Sequence, residues 1–92
     1  MSDISVTRIA DDDPLTFDVL ISDAKSQTRH RVTLAKLDFA RLGGESGPER
    51  LIEASFRFLL DREPKEAILA RFDISVIARY FPEFETTLAA YQ

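Results

Sequence analysis

One stretch of the chain restricts the possible architectures more than any other. From Leu51 to Leu60 the positions Leu51, Ile52, Ala54, Ser55, Phe56, Phe58, Leu59 and Leu60 read as apolar or small. Set out as a helix at about 100° per residue, they sweep roughly 240° of the circumference, whereas a one-sided surface helix shows a stripe of about 100–140°. Only Arg50, Glu53 and Arg57 occupy the remaining arc. Such a helix must be covered on two sides. It is therefore the expected central element of the domain, or the carrier of a partner interface. Ser46 and Glu49 have capping-box spacing and Pro48 fits a first helical turn. Glu63-Pro64 sets the end, near Asp61, because the residue before proline is driven out of the α region.

The upstream third supplies one cover. Leu15, Phe17, Val19 and Ile21 alternate with Thr16, Asp18 and Leu20, the period-two signature of a half-buried strand. His30, Val32 and Leu34 alternate likewise with Arg29, Arg31 and Thr33. A weaker run, Ile4 to Ala10, puts Ile4, Val6 and Arg8 on one parity and Ile9 on the other, which a bulge or an edge position reconciles. Turn-forming clusters, Asp11-Asp12-Asp13-Pro14 and Ser22 to Gln27, separate the three runs. Connections this short predict an antiparallel meander with the middle strand central, and a three-stranded sheet needs something packed on its apolar face.

Helices follow. Thr33 is the expected N-cap of a short helix over about 34–42, with Val32 and Leu37 as its hydrophobic staple and Gly43-Gly44 as its stop. Ala35, Leu37 and Phe39 would equally alternate as a strand. All three glycines lie in Gly43 to Gly47, the freest joint of the chain. Pro64 can open a helix over about 64–71. Asp73 can cap another, with Phe72 and Ile77 as staple, and Pro82 ends that one and begins a last helix, in which Phe84, Leu88 and Tyr91 share a stripe. The expected fold is thus α+β, one domain over residues 1–92: a three-stranded antiparallel β-meander (1–34) packed against a C-terminal helical part (35–92) of four to five short helices.

Composition removes several functions. Ninety-two residues suit one domain, which would expose roughly 5,400 Å² folded against about 15,000 Å² unfolded. There is no cysteine, so disulfide frameworks, thiolate metal sites and cysteine nucleophiles are excluded together, and a reducing cytoplasm is the expected location. The start shows no signal-peptide pattern and no apolar run approaches a membrane span. Residues 1–46 and 47–92 each hold 6 basic and 8 acidic groups, so neither half is an electrostatic footprint for nucleic acid.

Catalytic and metal patterns are thin. His30 is the single histidine; its parity with Val32 and Leu34 predicts a partly buried or rim position rather than a general base. Metal ligation needs convergent donors. Counted from Asp11 as a calcium loop, Thr16 stands where glycine is required and Ser22 where glutamate is. The chain has no nucleophile elbow and no glycine-rich phosphate loop. Glu63 with Glu66, or Asp61 with Glu63, are carboxylate pairs only in the sense that acids collect at helix boundaries. Neither an enzyme nor a cofactor is expected.

Three binding readings remain. Arg8, Lys25, Arg29 and Arg31 are a candidate anion-binding strip on the outer face of the sheet, where exposed arginines would equally serve to keep an edge strand from pairing. Glu66 to Tyr80 has the outline of a helix-turn-helix acting through Arg71 and Arg79, against which stand its single basic residue after the turn and the early Pro82. Finally, seven of nine aromatics lie within residues 56–92. They are either core rings or, in part, anchors for another chain; Phe58, Tyr80, Phe81, Phe84 and Tyr91 are the candidate partner-binding set. The leading expectation is a non-enzymatic protein-binding or regulatory module working through its aromatic C-terminal helices, with self-association possible. The alternative is a DNA-binding protein of helix-turn-helix type.

Ser55-Phe56-Arg57-Phe58-Leu59-Leu60-Asp61-Arg62-Glu63-Pro64 and Phe72-Asp73-Ile74-Ser75-Val76-Ile77-Ala78-Arg79-Tyr80-Phe81-Pro82-Glu83, within Leu51 to Glu85, resemble the closing block of a group of small uncharacterised bacterial proteins. The resemblance implies a bacterial source. It carries no activity and no functional residue onto this chain.

Overall fold

The computed structural model describes residues 2–43 and 45–92. The alternating run Leu15 to Ile21 becomes strand β2 (Leu15–Ser22), with Leu15, Phe17, Val19 and Ile21 all buried on one face. Strands β1 (Asp3–Ala10) and β3 (Gln27–Leu34) pair with it antiparallel on either side. The register of β1 shifts between Arg8 and Ala10, which is the bulge that the mixed parity of Ile9 demands.

The sheet has four strands, not three, and it is mixed. Strand β4 (Arg71–Asp73) pairs parallel with β3, matching Arg31 to Arg71, Val32 to Phe72 and Thr33 to Asp73. The expected helix over 64–71 therefore does not form; a single 3-10 turn, Lys65–Ala67, stands in its place. The free edge of β3 explains the outcome. The Arg31 amide donates to the Ala70 carbonyl at 2.7 Å, and His30 Nδ1 lies 2.7 Å from the Leu69 carbonyl oxygen. An eight-residue helix is marginal by itself. Pairing the exposed edge of β3 satisfies backbone groups that would otherwise stay open, and that tips the segment to strand.

Helix α1 (Lys36–Arg41) starts later than expected, with Ala35 rather than Thr33 at its N-cap. Its first amide, that of Lys36, is taken by Asp13 Oδ1 at 3.1 Å. The later start turns Leu37 outward to 79% exposure, so no staple with Val32 exists. Gly43, at φ 75°, closes the helix in the left-handed conformation; Gly44, the other half of the expected stop, lies outside the described residues. Helix α2 (Pro48–Leu60) carries Pro48 in its first turn and Gly47 at its N-cap, at φ 96°. No side chain caps it, so the Ser46–Glu49 capping box is absent.

The wide apolar arc of α2 is buried as required. Leu51, Ile52, Ala54, Ser55, Phe56, Phe58 and Leu59 are all inaccessible or nearly so. Phe56 packs toward the sheet, 5.5 Å from the His30 ring and 5.9 Å from Phe72 between ring centroids. Phe58 packs away from it, in edge-on contact with Phe84 at 5.0 Å, Tyr91 at 5.8 Å and Phe81 at 5.9 Å. The single buried Ser55 hydroxyl donates to the Leu51 carbonyl at 2.8 Å.

The second cover is built from the C-terminal turns. Asp73 caps them as expected, its carboxylate accepting the Ser75 amide at 3.0 Å. A 3-10 turn, Ile74–Val76, leads into α3 (Ile77–Tyr80); after Pro82 comes α4 (Phe84–Thr87), extended by a 3-10 turn, Leu88–Tyr91. Among the described residues no helix is long and apolar enough to cross a membrane.

Candidate functional site

Two features of the surface carry the sequence-predicted residues, both sets need correction, and a third feature joins them. In the aromatic set, Phe58 and Phe84 are fully buried. Phe58 is the hub of the rings beneath α2, and the Arg62 guanidinium lies 3.6 Å above it. Tyr91 is half-buried and donates its hydroxyl to Asp61 at 2.6 Å. None of these three is a free anchor. Their rings complete a core that lacks tryptophan. Tyr80 is different, at 68% exposure, and Phe81 is half-buried beside it.

Tyr80 and Phe81 help to wall a cleft of about 220 Å³ between the end of α2, the approach to β4 and α3. Its other walls include Leu59, Ile68, Leu69 and Phe72. Leu69 stands at its mouth with half of its surface open to solvent. Sequence reading missed Leu69, because on the expected helix it belonged to the core. Glu63 is the carboxylate that lines the cleft. The chemistry of the cleft is that of an apolar receptacle with a wet lip.

The second corrected set is the basic strip. Cross-strand pairing of Arg8 with Phe17 puts Arg8 on the covered face of the sheet, its guanidinium 5.9 Å from the Phe17 ring centre. There it grips both oxygens of Glu49 on α2, at 2.7 and 2.8 Å, and reaches Asp11 at 2.8 Å. Those bonds, Glu49's first and then Asp11's, raise the Arg8 pKa still further, and the Arg8 bond lowers that of Glu49. Lys25 sits in the turn between β2 and β3, where its amide donates to Asp23. Arg29 and Arg31 do stand on the open face, as expected. Arg31 makes two bonds to Asp18, at 2.9 and 3.2 Å. They hold the Asp18 carboxyl below its ordinary range; partial desolvation opposes the shift and the charges of Arg29 and Arg71 add to it. The strip therefore loses Arg8 and gains Arg71, which β4 sets beside Arg31.

The third feature is a brace at the far end of the sheet. Lys65, almost wholly buried, donates to Asp23 at 2.6 Å and pairs with Glu66 at 2.8 Å. Asp23 also accepts the amides of Lys25 and Ser26. The Lys65 bond, followed by those two amides, holds the Asp23 carboxyl far below its usual range. The pair ties the β2–β3 turn to the 3-10 turn that leads into β4.

His30 is buried on the covered face with Val32 and Leu34. A carbonyl oxygen can only accept, so Nδ1 carries the hydrogen it shares with Leu69; Nε2 meets the Thr28 hydroxyl at 2.8 Å. Nδ1 thus holds the approach to β4, and Nε2 is occupied by Thr28 of the same strand. Among the described residues, no three metal-ligating side chains come together. The helix-turn-helix outline is not realised, since Glu66 to Tyr80 contains a strand and the four-residue α3 in place of two packed helices. No family model, no curated protein and no solved structure matches this chain.

Proposed function

We propose that the protein is a non-enzymatic binding module that receives an apolar side chain of a partner protein in the cleft walled by Leu69, Phe72, Tyr80 and Phe81. The observation that carries this reading is the pairing of an apolar cleft with large side chains left open at its mouth, Leu69 at 50% and Tyr80 at 68% exposure. Exposed aromatic and aliphatic groups around a concavity are the usual composition of an interface centre. Size favours a side chain over a cofactor: about 220 Å³ falls below the roughly 300–1,000 Å³ of small-molecule sites. Chemistry favours binding over catalysis, because a reaction centre needs several convergent polar groups and the cleft is lined mainly by hydrocarbon.

Selection from a displayed peptide library, followed by NMR mapping on the whole chain, tests the reading. Enriched peptides should share an apolar residue, shift the signals of Leu69, Tyr80 and Phe81, and lose binding about tenfold or more to Leu69→Asp, a surface change that leaves the melting curve nearly unaltered. Light scattering on the wild type and the same variant identifies a second copy as the partner if the wild-type mass alone doubles. Peptides that map elsewhere, or that bind Leu69→Asp equally well, contradict the proposal.

A further inference from the structure

The face of the sheet turned away from the helices breaks a pairing rule. Arg31 and Arg71 are direct neighbours across the β3–β4 ladder, and like charges so placed destabilise a sheet. Arg29 stands two residues before Arg31 on the same face, opposite Leu20. Strand geometry spaces these three α-carbons at about 5–8 Å, within reach of one another's guanidinium groups. Asp18 is the carboxylate set among them, and it is already committed to Arg31. Asp73, on the same face beyond Arg71, gives its oxygens to the Thr33 hydroxyl and the Ser75 amide. Among the described residues, Arg29 and Arg71 make no ion pair and no side-chain hydrogen bond. The three arginines border a shallow groove of about 470 Å³ whose floor runs across β1 and β2 through Ser5, Thr7 and Leu20. One carboxylate, Asp18, offsets only part of the charge of three arginines, and a surplus of like charge left on an otherwise consistent fold is the mark of a site shaped for something other than stability.

We propose that Arg29, Arg31 and Arg71 form a binding site for a phosphate monoester on the open face of the sheet. The donors decide the ligand class. Arg29 and Arg71 each present a planar fork with nothing to bind, and Arg31 is held in place by Asp18 with part of its fork still free. Such forks match phosphate oxygens two at a time. A monoester brings about −1.5 to −2 charges and three acceptor oxygens to one point, enough to bridge forks from two strands. A diester backbone brings one charge per unit along a line, and the even charge of this chain gives such a polymer little else to follow. The site lies apart from the apolar cleft: Arg71 and Phe72 project to opposite faces of β4.

An NMR titration of the whole chain tests the proposal by following arginine side-chain N–H signals as inorganic phosphate replaces chloride at fixed ionic strength. Arg29, Arg31 and Arg71 should shift together and saturate, while Arg50 and Arg79 stay still. Arg29→Gln and Arg71→Gln should each weaken binding about fivefold or more. Arg71→Lys should restore only part of it, because an ammonium lacks the fork. Arg29→Gln keeps the test sound if the β4 variants loosen that short strand. A phosphoserine peptide, its unphosphorylated twin and a sugar phosphate separate the sources. Tighter binding of the phosphopeptide than of inorganic phosphate assigns a modified protein, and equal binding of all monoesters assigns a small metabolite. Shifts that never saturate, shifts shared equally by Arg50 and Arg79, or a single-stranded oligonucleotide that binds more tightly than any monoester overturn the proposal.

Discussion

Phe56 shows how one side chain can serve two layers. Its ring is fully buried, touching His30 of β3 and Phe72 of β4, while its backbone belongs to the helix that the C-terminal turns cover from behind. Truncation leaves a hole between elements that cannot easily close. Phe56→Ala should therefore cost about 3–5 kcal/mol in chemical denaturation, the range of buried phenylalanine deletions; a loss below about 1 kcal/mol would mean that the ring is not core. The burial of Phe56 was legible from its place on the wide apolar arc of α2. The division among the other rings was not. Phe58 and Phe84 are core, Tyr80 is exposed and Phe81 lies between, yet all four sit in the same aromatic-rich half. Composition counts rings but does not orient them. Arg8 was more legible than its assignment to the outer strip: its parity with Ile4 and Val6 already put it on the covered face, where Glu49 receives it.

At the scale of elements, strands with strict alternation were readable and the short late elements were not. Leu15 to Ile21 specifies its face at every second residue. Lys65 to Ala70 carries residues that suit a helix, and the partner that turns the stretch into an approach to β4 is the distant edge of β3. No local pattern announces that edge. The brace of Lys65 on Asp23 holds this non-local arrangement, and it makes a pH prediction. A carboxyl whose folded pKa lies below its unfolded value of 3.8 adds stability that is complete well above that value and is lost as the pH falls through the range beneath it. Asp23→Asn lacks that contribution. Its urea midpoint should start lower than that of the wild type at pH 6 and decline less steeply between about pH 4 and pH 2. Parallel curves would show that Asp23 is unpaired in solution. The Lys65 ammonium shifts the opposite way. Raised above 10.5 by Asp23 and then Glu66, it contributes fully below that pH and progressively less as the pH climbs past it.

For the whole molecule, the dimensions are those of a compactly folded chain of this length. The radius of gyration is 12.2 Å, against about 12 Å expected for a chain of this length. The accessible surface, 5456 Å², matches the roughly 5,400 Å² of a folded monomer. One buried cluster runs from Leu15 on β2 through α2 to Leu88 near the C-terminus. The open leucine and tyrosine of the cleft and the three arginines of the sheet lie outside this buried cluster, as surface features. Both candidate sites depend on one tertiary event, the parallel docking of residues 69–73 on β3. That docking carries Leu69 and Phe72 to the cleft and Arg71 to the open face. Native-state hydrogen exchange at the Arg31 amide, the donor to Ala70, tests it most directly. Protection within about tenfold of that shown by the β2–β3 ladder amides is the result this account predicts. Exchange at the rate of an unpaired edge, with the β2–β3 amides still protected, would contradict it.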